Sequence, residues 1–241
     1  MKKARVLLQG DLKNIFRDAV MILAFISPGL IILFVNLALP VVRELILAEL
    51  SYDISIHYSF FAGFLLLLMP LLLGTVGGFL MLEEKENGML QVFSVTPLGR
   101  KGYLIYRLLF PFLFSVIFSV LVYFLTDLGR ISLIFLLPLI LMGGMEAPMI
   151  SFFLGTYARN RVEGLALAKG LGIILFSPLM GYLVESSWHI LGGLLPPYWV
   201  TQGFLVANSG IIEYLFYLIP GFGVHLIFFH FLFQKFLEME F

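Results

Sequence analysis

Apolar residues run almost unbroken through six stretches of the chain, near residues 20–41, 58–82, 104–126, 131–157, 164–184 and 211–233, while charged residues gather in the breaks between them. Each stretch reaches the roughly 20 residues that a helix needs to cross a bilayer. A lipid-facing barrel strand would instead show about 10 residues of alternating polarity, and no such alternation runs through these segments. The pattern therefore predicts an all-α membrane protein with six transmembrane helices in a single transmembrane domain over 1–241. The first apolar stretch follows basic residues, as in a secretory signal. It is too long for such a signal and has no small-x-small cleavage site before Arg43, so it is read as a span.

Composition sharpens this picture. Hydrophobic residues make up 61% of the chain and charged residues 12%, with a mean hydropathy of +1.03, where a soluble domain carries about a quarter charged residues. Little chain is left for a soluble catalytic domain. Fifteen Lys and Arg balance fifteen Asp and Glu, so no basic surplus points to nucleic acid, and the absence of Cys removes disulfides and thiolate metal sites. The distribution of the positive charges is informative, because Lys and Arg resist translocation. Eleven of them fall in the leader, the 83–103 loop, the 158–163 turn and the tail, against only Arg43 and Arg130 in the opposite breaks. The distribution predicts that both termini are cytoplasmic in a multi-pass protein of the cell membrane. Glu44, Glu49, Asp53, Asp127, Glu185 and Glu213 fall on the other side.

Three segments are not spans. Residues 4–19 place Leu8, Leu12, Ile15, Phe16 and Ala19 on one helical face and Lys13, Asn14, Arg17 and Asp18 on the other. This fits an amphipathic helix lying in the cytoplasmic interface; a basic leader that only fixes topology is the plainer alternative. Residues 185–210 hold Trp188, Trp199, Tyr198 and the Pro196-Pro197 pair. Amphipathic rings favour the headgroup level, so this outer segment is expected to sit on or dip into the outer leaflet as an anchor. In the 83–103 loop, Asn87-Gly88 suits a helix end, Met89–Val95 a short second helix, and Thr96-Pro97-Leu98-Gly99 its stop. A solvated connector has no need of Leu90, Val92, Phe93 and Val95, so something docks there or the run rests on the membrane.

The stretch from Glu83 to Arg107, EEKENGMLQVFSVTPLGRKGYLIYR, resembles the cytoplasmic loop of ABC-2 type transporter permeases, in which E-K-E-x-G-x-L followed by T-P-L forms a coupling elbow between the second and third helices. Asn160-Arg161-Val162-Glu163-Gly164 followed by Lys169, and Leu195-Pro196-Pro197-Tyr198-Trp199, are similar to the fluoroquinolone-type export permease branch. The resemblance implies an exporter built from two such permeases, identical or paralogous, and driven by a separate ABC ATPase subunit that carries ATP and Mg; a path lined by Phe, Leu and Met, with 26 Phe in the chain, suits an amphiphilic or hydrophobic cargo, drug-like, lipid or peptide. The resemblance further implies that Glu83, Glu84, Lys85 and Glu86 make charge contacts to that ATPase, that Gly88 and Pro97 shape the elbow, and that Met89, Leu90, Val92 and Phe93 fill an apolar groove. Asn87 stands where the family often has Arg or Lys. No G-x-x-x-x-G-K-[ST] occurs, so this chain holds no P-loop of its own. It is read as a transport subunit, not an enzyme.

Two other classes share parts of this pattern. Glu83-Glu84 matches the start of the E-E-x-x-x-R signature of glutamate-type intramembrane proteases, but Gly88 takes the place of the Arg. His225 and His230 share the last span at a spacing of five, which suits helix-packing contacts better than two metal ligands. A secondary, ion-gradient-driven transporter needs ionisable groups near the midplane, and Glu146 is the acid deepest in a span. An exposed charge there costs roughly 2.5–3.5 kcal/mol, so Glu146 is expected to face the bundle interior. Counting from a turn near Asn160, Lys169 is offset from it by five residues, about 7.5 Å along a helix, and is the expected partner. Arg107 is the second choice, and a protonated Glu146 bonded to backbone is the neutral alternative.

Overall fold

The computed structural model describes residues 2–89 and 99–238, and every long element among them is helical. The helices are α1 (Lys2–Ile15), α2 (Ala19–Leu50), α3 (Tyr58–Glu86), α4 (Gly99–Leu125), α5 (Leu133–Gly144), α6 (Glu146–Tyr157), α7 (Arg161–Leu171), α8 (Phe176–Leu183), α9 (Pro196–Val206) and α10 (Ile211–Leu237), with 3-10 turns at Ile54–His57, Gly172–Leu175 and Ser187–Leu194. The α5–α6 and α7–α8 pairs each act as one interrupted rod, which leaves, among the described residues, six helical segments long and apolar enough to cross a membrane. Pro148 has no N–H to give the preceding turn. The α5–α6 rod breaks there, with the Met145 N–H shared between the Leu141 and Met142 carbonyls at 3.3 and 3.2 Å.

The centre of the bundle is α3, whose packing on α6 explains Gly74 and Gly78. A Cβ on Gly74 would stand 2.6 Å from the Ala147 carbonyl oxygen, and one on Gly78 would stand 2.7 Å from Leu154 Cβ. Small residues at this spacing let two backbones meet closely, which is how helices gain dispersion contacts where lipid offers no hydrophobic drive. Ser151 donates to the Gly74 carbonyl across the seam at 2.9 Å. By contrast α2 buries only Met21 and Pro28 and turns Leu23, Leu30, Phe34 and Leu37 outward, a surface made for lipid or another chain.

Polar groups concentrate at the two ends. At the end carrying α1, Asp18 caps α2 by accepting from the Met21 N–H at 2.9 Å and pairs with Arg161 at 2.7 Å. Asn160 caps α7 by accepting from the Glu163 N–H at 3.0 Å, one of the donors the helix leaves open, while Glu163 accepts from the Arg159 N–H just before the cap at 2.9 Å. At the far end Arg43 grips Asp53 with two bonds of 2.8 and 2.7 Å. These bonds, with the Ser55 N–H, hold the Asp53 carboxyl below the usual carboxylate range.

Two expectations are corrected. Helix α1 ends at Ile15, with Phe16 exposed and Ala19 opening α2, so its buried face is Asp11 and Ile15 with Leu8 beside them. Tyr198 and Trp199 are not surface anchors. They lie on α9, which enters the bundle against α3, α5, α8 and α10, and both rings are buried, with Trp199 Nε1 donating to the Gly193 carbonyl at 2.8 Å. Trp188 alone of the pair of tryptophans is exposed.

Candidate functional site

Helix α4 presents Tyr103, Tyr106 and Arg107 on one face, three and four positions apart. The guanidinium is 2% exposed and meets two carboxylates that are equally hidden, Asp11 of α1 at 4% and Glu84 of α3 at 5%. Its two η nitrogens donate to the two Asp11 oxygens at 2.9 and 3.0 Å. Nε donates to Glu84 Oε2 at 3.0 Å, and Nη2 also donates to Oε1. Tyr103 adds a hydroxyl to Glu84 at 2.8 Å and Tyr106 one to Asp11 at 2.6 Å. Only a planar fork of fixed donors serves two carboxylates at once in this way. Taking out one member of such a buried set costs about 3–5 kcal/mol, because the others stay buried without a partner.

This cluster moves Glu84 away from an outward ATPase contact: it shares the buried stripe of Leu80 and Met81 and points into the bundle. Lys85 also turns inward, donating to the Gly155 and Ala158 carbonyls at 3.3 and 3.2 Å, where a cation satisfies the open C-terminal end of α6. Glu83 is half-buried; Glu86 is exposed and accepts from the Arg161 N–H at 3.1 Å. Gly88 has a left-handed φ of +65° and an exposed position, and Met89 is exposed. Leu90, Val92, Phe93 and Pro97 lie outside the described residues.

The second polar site is in mid-bundle. Glu146 opens α6 directly after the break and is 3% exposed, but its partner is His225 of α10 and not Lys169, which is exposed on α7. Arg107, the second choice, is engaged at the α1 end. His225 Nδ1 lies 2.8 Å from the Gly221 carbonyl and Nε2 lies 3.2 Å from Glu146 Oε1. A carbonyl only accepts, so Nδ1 carries a hydrogen; the Nε2 contact then needs one further proton, on the imidazole or on the carboxyl. Beside this pair lies a cavity of about 510 Å³ between α6, α7, the start of α9 and α10, walled by Met149, Ile150, Phe153, Leu167 and Phe228 with Glu146 among them.

Asp11, Tyr103, Tyr106 and His225 were missed as site residues. Asp11 carries a legible signal, an acid between Leu8 and Ile15 on an otherwise apolar face, and the Tyr103–Tyr106–Arg107 spacing is another. Nothing in the sequence reveals which helix faces His225.

A family model described as "Fluoroquinolones export permease protein Rv2686c-like" matches residues 11–233. Two curated relatives, the fluoroquinolones export permease proteins MT2760 and Rv2686c of two Mycobacterium tuberculosis strains (CDC 1551 / Oshkosh and ATCC 25618 / H37Rv), are each 26% identical over 204 residues, which cover 83% of this chain and 81% of the relative. No solved structure matches the chain.

Proposed function

The chain belongs to the Rv2686c-like family of fluoroquinolones export permeases, and from that membership we propose that it is the membrane-spanning subunit of an ATP-driven ABC exporter. ATP and Mg bind a separate ATPase subunit, and two permease chains, identical or paralogous, enclose the path. The end carrying α1 is cytoplasmic, in keeping with the excess of Lys and Arg there. The cargo is amphiphilic or hydrophobic and drug-like, as the relatives' names suggest, or a lipid or peptide of that character.

The observation that carries this reading is the buried Asp11–Arg107–Glu84 set. Arg107 ties the start of α4 to the end of α3, the two helices that residues 87–98 connect, and ties both to α1. A push on that connecting elbow therefore displaces three helices together, which is what a coupling device requires. Leu90, Val92 and Phe93 supply the apolar grip on the ATPase, with Glu83, Glu86 and Met89 beside them. Purification from the native membrane under mild conditions is expected to bring an ATPase subunit with the permease. Transport-competent material that repeatedly lacks one would overturn the proposal.

A gradient-driven carrier is the second reading, favoured by the buried Glu146–His225 pair. It predicts uptake or efflux in vesicles that follows an imposed proton gradient and ignores ATP.

A further inference from the structure

The cavity beside Glu146 combines features that narrow its ligand. Its volume, about 510 Å³, falls within the range of small-molecule sites, which are mostly apolar with a few placed polar groups. Its wall is almost wholly aliphatic and aromatic, and the titratable side chains on it are Glu146 and Tyr157, both from α6. α7, the start of α9 and α10 contribute none to the wall, and His225 of α10 meets Glu146 without lining the cavity. The acid is therefore the one group on the wall able to hold a full charge near neutral pH.

With one proton shared, Glu146 and His225 together carry no net charge. A neutral apolar ligand would leave the carboxylate without use, and an anion would oppose it. A cation with an apolar body fits both parts: its charge replaces the shared proton, its body replaces whatever fills the apolar walls, and the site stays neutral throughout. We propose that this cavity is a binding site for a lipophilic monocation, held by the Glu146 carboxylate, whose entry releases the proton shared with His225. The displaced proton ends in the surrounding buffer as the cation takes its place, and the neutral imidazole keeps its Nδ1–H on the Gly221 carbonyl. This deepens the export reading by giving the cargo a charge, and it rests on that reading only for the step of transport.

The test is equilibrium binding without ATP, on the purified protein in nanodiscs of phosphatidylcholine, with empty nanodiscs subtracted. The probes are tetraphenylphosphonium and its near-isosteric anion tetraphenylborate. Saturable binding of the cation, about tenfold or more tighter than that of the anion, with a proton released into weak buffer for each cation bound, is expected. Glu146→Gln should remove the preference for the cation. Gly170→Phe should block both probes, since Gly170 lines the cavity and nothing lies within 4 Å of its Cβ position. Equal affinity for the two ions in the wild-type protein would overturn the proposal whatever the variants do. So would unchanged cation binding in Glu146→Gln, or binding seen in detergent that vanishes in lipid, which would make the cavity an acyl-chain seat. Failure here with an ATPase subunit still co-purifying removes only this inference; loss of the ATPase with cation binding intact removes only the exporter reading.

Discussion

Arg107 and Glu84 face each other across the two ends of the connection from α3 to α4, joined by the Nε bond of 3.0 Å and by Nη2 to the second oxygen. The link is sealed from water on both sides. It ties the last turn of α3 to the first turns of α4.

The strength of that link predicts how variants behave. Arg107→Ala leaves two carboxylates buried without a counter-charge and should cost about 3–5 kcal/mol, read as a large fall in thermal stability in detergent. The triple variant Asp11→Asn, Glu84→Gln, Arg107→Met removes all the formal charge. It should be more stable than Arg107→Ala, and a triple variant less stable than the single one contradicts the assignment.

The elbow should separate insertion from transport. Leu90→Ala and Phe93→Ala are expected to insert at wild-type levels while transport falls several-fold, because apolar anchors hold an interface and charged rims mainly orient it. Normal transport with normal ATPase association in both variants counts against the docking role.

Replacing Glu146 tests its partner. Glu146→Leu strands the His225 imidazole and should cost about 1–3 kcal/mol. The exchange Glu146→His with His225→Glu should recover part of that loss, and Lys169→Glu should not rescue Glu146→Lys. Rescue by the Lys169 change would show a pairing other than the one described.

The seam between α3 and α6 is intolerant of volume. Gly74→Ala and Gly78→Ala each force a methyl group against α6 and should cost about 1–3 kcal/mol, whereas Gly223→Ala, with nothing within 4 Å of its Cβ position, should be neutral. Melting temperatures of the three variants decide this.

The far-end Arg43–Asp53 pair should respond to acid. The Asp53 carboxyl is held low by Arg43, so its contribution is fully present above the unfolded carboxylate value of about 3.9 and fades as pH falls below it. The stability gap between the wild-type protein and Asp53→Asn should be small, present near neutral pH and shrinking below about pH 4. A gap that widens in acid contradicts the sign.

The helices were legible because a span must be apolar along its whole length, so Phe, Leu and Ile runs mark it whatever their neighbours. The same property hid the packing. Leu66 and Leu67 lie in the core while Leu30 and Leu37 of α2 face outward, and their chemistry is identical. Tyr198 and Trp199 misled for a related reason: rings that suit the headgroup level also suit an interior with carbonyls to bond. Glu84 read as a surface charge because it lies among charged residues, yet its one-turn spacing from Leu80 was the better guide. The Glu146–His225 pair depends on which face of α10 meets α6, and that is settled by the packing of the whole bundle.

Helix α9 has 11 residues, nine of them buried, and measures about 16 Å against a hydrocarbon core of about 30 Å. Such a segment cannot enter lipid by itself, because its ends would bring unbonded peptide groups into the bilayer. The walls it leans on include α10, which is made after it. The seat of α9 is therefore completed by a helix that follows it in the chain. A chain cut short before α10 would keep the residues of the α3–α6 seam but would leave α9 without one of its walls.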